Sequence, residues 1–289
     1  MDLIGPFRET SIGGARFVLT IIDRFSGYIY AYPMKSKTEV LDKFREFLAE
    51  EHITRTPPQT VMIDWGTEFE DPFRSWARRK GIKLRRSCPY TAHENGLVEA
   101  ANKELQHVAR AMQKRANMPA KFWGHAIDTA AYIINRISTR SNPGAISPYE
   151  MKTWQKPDLS NLRIYGCAAE VFMEKVLRKK SFGPSGDHSR TGVFLGYAHM
   201  CKGYVFYIPE LDRVVMRKTA DFDEGHLPYS VGETSIATPN TTPGIKLDAT
   251  PIDKKEDTVP TMVSPGSVNS GGKPSTKPQS SGGTISIDY

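Results

Sequence analysis

The chain has 289 residues, 39% of them apolar and 25% charged, the composition of a soluble globular protein with room for two domains. No apolar run nears the roughly 18–20 residues of a membrane span, and Met1-Asp2-Leu3-Ile4-Gly5-Pro6 lacks the basic and apolar stretches of a secretion signal, so neither a membrane partner nor secretion is expected. The net charge of +7 favours a polyanionic partner, and three widely separated cysteines (Cys88, Cys167, Cys201) with no CxxC pair read as reduced, buried thiols rather than a disulfide framework or zinc finger.

Residues 16–22 and 28–34 are β-branched or aromatic runs around the turn Asp23-Arg24-Phe25-Ser26-Gly27, which predicts adjacent antiparallel strands. Thr38 is the expected cap of a helix whose apolar stripe is Val40, Leu41, Phe44, Phe47 and Leu48. Pro57-Pro58 precedes a short strand at 60–63 that ends at Asp64, then a helix over 72–80 stops at Gly81 and 82–86 forms another strand. After a loop at 87–94, a helix over 96–116 buries Val98, Ala101, Leu105, Val108 and Met112, and Pro119 opens a further apolar helix reaching 137. With a first, truncated strand at the extreme N-terminus, this is an α/β order: a mixed sheet flanked by helices.

From Leu162 the texture changes to short strand-like runs at 162–165, 169–173, 191–195, 203–207 and 214–216, which predicts a small all-β barrel. The expected division is therefore 1–155, 156–225 and a tail or linker at 226–289. Residues 231–289 carry a net charge of −1, leaving +8 on the rest, and Tyr289 is their only aromatic. Such a segment buries too little apolar surface to offset its ordering entropy and is expected to be disordered.

Asp64, at the C-terminal end of a strand before Trp65-Gly66-Thr67-Glu68-Phe69, is well placed to meet a ligand, although Asp before Gly is equally ordinary turn chemistry. Glu99 lies near the start of the long helix, on a polar and basic face with Asn102, Lys103, Gln106 and Arg110; periodicity alone fits a solvated face there. Asp2 by itself says nothing.

The blocks Asp2-Leu3-Ile4-Gly5-Pro6, Ile63-Asp64-Trp65-Gly66-Thr67-Glu68-Phe69 and Asn95-Gly96-Leu97-Val98-Glu99-Ala100-Ala101-Asn102 resemble the three catalytic blocks of retrotransposon integrases, with 34 residues between Asp64 and Glu99. Phe122-Trp123-Gly124-His125-Ala126, Ala131-Tyr132-Ile133-Ile134-Asn135-Arg136, Ser147-Pro148-Tyr149-Glu150 and Leu162-Arg163-Ile164-Tyr165-Gly166-Cys167 look like the copia-type branch. Gly192-Val193-Phe194-Leu195-Gly196-Tyr197 and Lys202-Gly203-Tyr204 resemble the SH3-like domain that follows the catalytic core there. Each block is modest; their order along residues 2–225 is specific.

The resemblance implies an RNase H-like core, an SH3-like barrel, and a catalytic triad of Asp2, Asp64 and Glu99 that binds Mg²⁺ or Mn²⁺. Three converging carboxylates repel by about 4 kcal/mol per pair at roughly 4 Å and an effective dielectric of about 20. A hard cation with oxygen ligands relieves that repulsion, and two such ions about 3.5–4 Å apart activate an attacking oxygen and stabilise a leaving one across a phosphodiester. The implied reaction joins 3′ ends of element DNA into target DNA; the alternative is a catalytically inactive relict that binds DNA or assembles. The implied partners are element and target DNA and further copies of the chain, with no small-molecule substrate, and the implied location is the nucleus.

No acidic residue stands between Asp71 and Glu94, where Arg74, Arg78, Arg79, Lys80, Lys83, Arg85 and Arg86 cluster. That run suits phosphate contacts, and Lys103, one turn past Glu99, is the single residue best placed for DNA. Asp23 reads as a turn residue, Glu68 and Glu94 carry no assigned role, and His93 has no partner evident in sequence. Arg178-Lys179-Lys180 is too short a run to assign.

Overall fold

Strand β1 (Asp2–Ile4) runs antiparallel to β2 (Phe17–Ile22), setting Asp2 opposite Thr20 and Ile4 opposite Val18. Strand β2 pairs in turn with β3 (Ile29–Met34), from Phe17 opposite Met34 to Ile22 opposite Ile29. The computed structural model describes residues 1–64, 66–86, 92–172, 189–198 and 202–230, with side chains of the third stretch from Gly96 onward. Alternate residues of β2 and β3 enter opposite cores, the consequence of the two-residue strand period. Leu19, Ile21, Tyr32 and Met34 pack with α1 (Val40–Glu50), β4 (Thr60–Ile63) and α2 (Phe73–Arg79), whereas Val18 and Ala31 face α3 (Ala92–Arg115) and α4 (Trp123–Ile134).

Strand β4 pairs in parallel with β5 (Lys83–Arg86), and the Met1 nitrogen donates to Met62 O at 2.7 Å, laying β1 beside β4. An antiparallel meander, a helix, then two parallel strands joined through a helix is the RNase H-like order, with helices on both faces.

Beyond α5 (Pro148–Thr153), whose first turn is capped by the Ser147 hydroxyl accepting from Glu150 N, five strands form an antiparallel sheet. They are β6 (Ala168–Phe172), β7 (Ser189–Tyr197), β8 (Tyr204–Ile208), β9 (Arg213–Arg217) and β10 (Ala220–Asp223), in the order β10-β6-β7-β8-β9. Phe194, Phe206, Val171 and Ile208 fill the sheet's own interior, with Phe222 against them. The opposite face of β7 is also buried, because Val193 and Leu195 join α3 and α4 in one core. Thr129 Oγ1 donates to Leu195 O at 2.9 Å, and Tyr132 stacks on Tyr197 with ring centroids 3.7 Å apart. Gly196 makes that approach possible: its φ is +144°, and a Cβ there would lie 2.2 Å from Thr129 Oγ1. The described residues form one compact unit, and no helix among them is long and apolar enough to cross a membrane.

Three local expectations are corrected and one missed strand is added. Ser36, not Thr38, provides the cap, its hydroxyl accepting from Thr38 N at the head of a 3-10 turn that leads into α1. Helix α3 begins at Ala92, inside the expected loop. Residues 162–165 are not a strand: Leu162 N donates to Leu159 O and Arg163 N to the Tyr197 hydroxyl, so their donors serve local and side-chain bonds instead of a ladder. Strand β10 escaped notice because its sequence, Ala220-Asp221-Phe222-Asp223, has one large apolar residue and two acids. Cys167 is buried, as expected, while Cys88, Cys201 and the tail at 231–289 lie outside the described residues.

Candidate active site

Asp2 starts β1, Asp64 follows the last residue of β4, and Glu99 lies two turns into α3. Both Asp2 oxygens are held: Leu3 N donates to Oδ1 at 2.8 Å and Asn102 Nδ2 to Oδ2 at 2.7 Å. Asp64 is half-buried, and the backbone N–H of Gly66 donates to its Oδ1 at 3.0 Å. Glu99 is exposed.

Burial, first of all, pushes the Asp2 carboxyl above its ordinary pKa; the Leu3 N–H opposes this, the charge of Asp64 adds to it, the amino terminus opposes it, and Glu99 adds to it again. Three acids chosen from distant stretches of sequence thus share one electrostatic neighbourhood centred on Asp2. Asp64 and Glu99 act on Asp2 as charges without closing into a cage: among the described residues, no three His, Cys, Asp or Glu side chains stand close enough together to hold a metal ion.

The neighbouring acids are committed elsewhere. Glu68, its side chain 5% exposed, pairs with Lys37 at 3.2 Å. It fills the space over Gly66, where a Cβ would come within 2.5 Å of the carboxyl carbon. Asp23 accepts from Ser26 N at 3.1 Å and Ser26 Oγ at 2.5 Å, which confirms it as a turn residue. Trp65 and the side chains of His93 and Glu94 lie outside the described residues.

Asn102 is the site residue that sequence reasoning passed over as a face residue. It is 6% exposed, and its Oδ1 is buried with no hydrogen-bond partner among the described residues. Its spacing from Glu99, three residues and so one helical turn, was the available signal. Carboxylates together with a carbonyl-type amide oxygen make an oxygen-only donor set, which suits a hard divalent cation.

Arg78, Arg79 and Lys80 are exposed at the end of α2, and Arg85 is exposed on β5. Arg86 differs: it is half-buried and ion-paired with Glu70, which also reaches Arg74 at 3.4 Å. Lys103 is exposed one turn beyond Glu99, and His107, Arg110 and Lys114 continue the same exposed stripe at steps of four, three and four. Arg178-Lys179-Lys180 lies outside the described residues.

Residues 167–235 match the family described as the retroviral polymerase SH3-like domain. The chain is 30% identical over 229 residues to the retrovirus-related Pol polyprotein from transposon TNT 1-94 of Nicotiana tabacum, covering 78% of this chain and 17% of that one. It is 28% identical over 229 residues to the corresponding polyprotein from transposon RE2 of Arabidopsis thaliana, covering 79% and 15%. The chain therefore spans less than a fifth of the length of these curated relatives. A solved structure of the HTLV-2 integrase catalytic core domain in complex with magnesium, in trimeric form, gives a TM-score of 0.38 at 19% identity, over 47% of this chain and 83% of that one.

Proposed function

We propose that this chain, a homologue of the Pol polyproteins of plant transposons, is the integrase segment of a copia-type element, joining 3′ ends of element DNA into target DNA. Residues 1–155 form the catalytic core, 156–225 the SH3-like domain, and 226–289 a tail or linker. In the reaction a 3′-hydroxyl of the element end gives up its proton as its oxygen bonds to a target phosphorus, the target's P–O3′ bond breaks, and the leaving 3′ oxygen takes up a proton. The two DNA ends call for more than one copy of the chain, working in the nucleus.

The observation that carries this reading is the coupling of Asp64 and Glu99 to a half-buried, hydrogen-bonded Asp2. Asp2, Asp64 and Glu99 would hold divalent Mg²⁺ or Mn²⁺, which, when bound, supplies the positive charge that two-metal transesterification needs at the attacking and leaving oxygens. Asn102 fixes the Asp2 rotamer, and its buried Oδ1, without a partner among the described residues, is an available acceptor beside Asp2. Lys103 and the stripe behind it, with Arg78, Arg79, Lys80, Arg85 and Arg86, carry cations toward DNA phosphates.

The alternative is an inactive relict that retains DNA binding, a reading favoured by the absence of a closed three-ligand cluster among the described residues. Strand transfer with a short DNA duplex and Mg²⁺ or Mn²⁺ decides between them. Wild type is expected to yield joined product while Asp64→Asn and Glu99→Gln do not. Equal product from all three removes the catalytic assignment; DNA binding without product from the wild type selects the relict.

A further inference from the structure

Asp2, Thr20 and Ala31 form one row across β1, β2 and β3, set by the pairings of Asp2 with Thr20 and of Thr20 with Ala31. Residues directly opposite one another in paired strands send their side chains to the same face. Here that face looks toward α3, because Ala31 shares a core with Leu105 and Ala109 and Asn102 donates to Asp2. Thr20 is 0% exposed, and its Oγ1 is buried with no hydrogen-bond partner among the described residues. The Asn102 Oδ1 is in the same condition, so two orphaned polar atoms flank one carboxylate.

The chemistry of the pair explains why Asn102 leaves that atom over. A carboxylate only accepts, so the amide has to turn its nitrogen to Asp2 Oδ2, and its oxygen is left facing away. The Thr20 hydroxyl offers one donor and two lone pairs. Buried polar atoms of folded proteins are nearly all paired, with protein or with ordered water. Water suits both atoms: it donates to the amide oxygen and exchanges a hydrogen bond with the hydroxyl. Ala31, on the other flank of Thr20, fills its place in the row with no more than a methyl and leaves room for it.

We infer that Thr20 and Asn102 hold one internal water molecule between them, and that this water fixes the Asn102 amide and through it the Asp2 carboxylate. Thr20 is thereby a positioning residue, one layer behind the acids. Its part in metal binding rests on the integrase reading, whereas the shared water does not.

Urea denaturation of the whole chain without metal tests the link. Valine has the shape of threonine without the hydroxyl. Were Thr20 Oγ1 unpaired, Thr20→Val would remove a buried polar group and stabilise the fold; with the water shared, it is expected to lower the folding constant about fivefold. That loss is expected to shrink in the Asn102→Ala background. Nuclear Overhauser transfer from water to a labelled Thr20 methyl is expected in the wild type. In calorimetry, Thr20→Val is expected to bind Mg²⁺ about 10-fold more weakly, and Thr20→Ser, which keeps the hydroxyl, to bind it as the wild type does. A stabilising Thr20→Val, additive effects of the two variants, or no transfer from water overturns the shared water. Wild-type Mg²⁺ affinity in Thr20→Val overturns the positioning role. A wild type that takes up no Mg²⁺ yet keeps the coupling and the transfer sinks the integrase reading and upholds the water.

Discussion

The Asn102 side-chain amide donates to Asp2 Oδ2 across 2.7 Å and so ties the long helix to the first strand at the one carboxylate that is raised by both of its acidic neighbours. Partners that orient a ligating carboxylate typically govern metal affinity by about 10–100-fold. Asn102→Ala is expected to weaken Mg²⁺ binding by about 10-fold in calorimetry, with an unchanged circular dichroism spectrum. Undiminished binding would deny Asn102 a positioning role.

The seating of the barrel on α4 predicts a clash and its relief. Gly196→Ala puts a Cβ 2.2 Å from Thr129 Oγ1 at a φ of +144°, and is expected to cost about 3 kcal/mol in urea denaturation. Thr129→Ala alone strands the Leu195 carbonyl and costs about 1–3 kcal/mol. The double variant is expected to be more stable than the sum of the two predicts, since the hydroxyl that meets the new methyl is gone. Simple additivity contradicts the proposed contact.

On the basic surface, ion pairing sets the ranking. Arg78→Ala and Arg79→Ala are each expected to lower the slope of log affinity for duplex DNA against log salt by about 1. Arg86→Ala is expected to change it less, because Glu70 already engages that guanidinium. Its carboxyl is held below the ordinary range chiefly by the hydrogen bond from Arg86. A larger effect at Arg86 than at Arg78 would reverse this assignment.

Cys167 supplies a pH dependence. Burial pushes its thiol from 9.0 up to about 12. An acid whose folded pKa is raised stabilises the fold fully below the unfolded value and loses that contribution as pH rises toward the folded one. The wild type is therefore expected to lose stability between pH 9 and about 12 more steeply than Cys167→Ala, read from urea midpoints. In the native protein at pH 8, iodoacetamide is expected to leave Cys167 unmodified in peptide mass spectra, and rapid labelling there would contradict the burial.

Much of the architecture was legible because hydrophobic period and turn chemistry are local. The strand at 60–63 and the stripe from Val40 to Leu48 fall where the pattern puts them. What escaped was tertiary. Asn135 accepts from Ile29 N at 2.8 Å and donates to Ile29 O at 2.7 Å, clamping α4 to the start of β3; nothing in its own surroundings along the chain announces a partner so distant. Asn102 looked like one more polar face residue for the same reason, and residues 162–165 looked like a strand because their apolar side chains face the barrel while their backbone donors go elsewhere.

Ala126 and Ala130 of α4 and Val193 and Leu195 of β7 belong to a single apolar interior. The small alanines on that flank are the floor on which the strands lie, so scission of the chain soon after residue 160 would remove a wall and not an appendage. The wetting that follows would travel inward through Leu105 and Ala109, which are buried in the same interior on the helix that bears Glu99. The β module is thus a brace for α3, and its loss would loosen the carboxylates from behind.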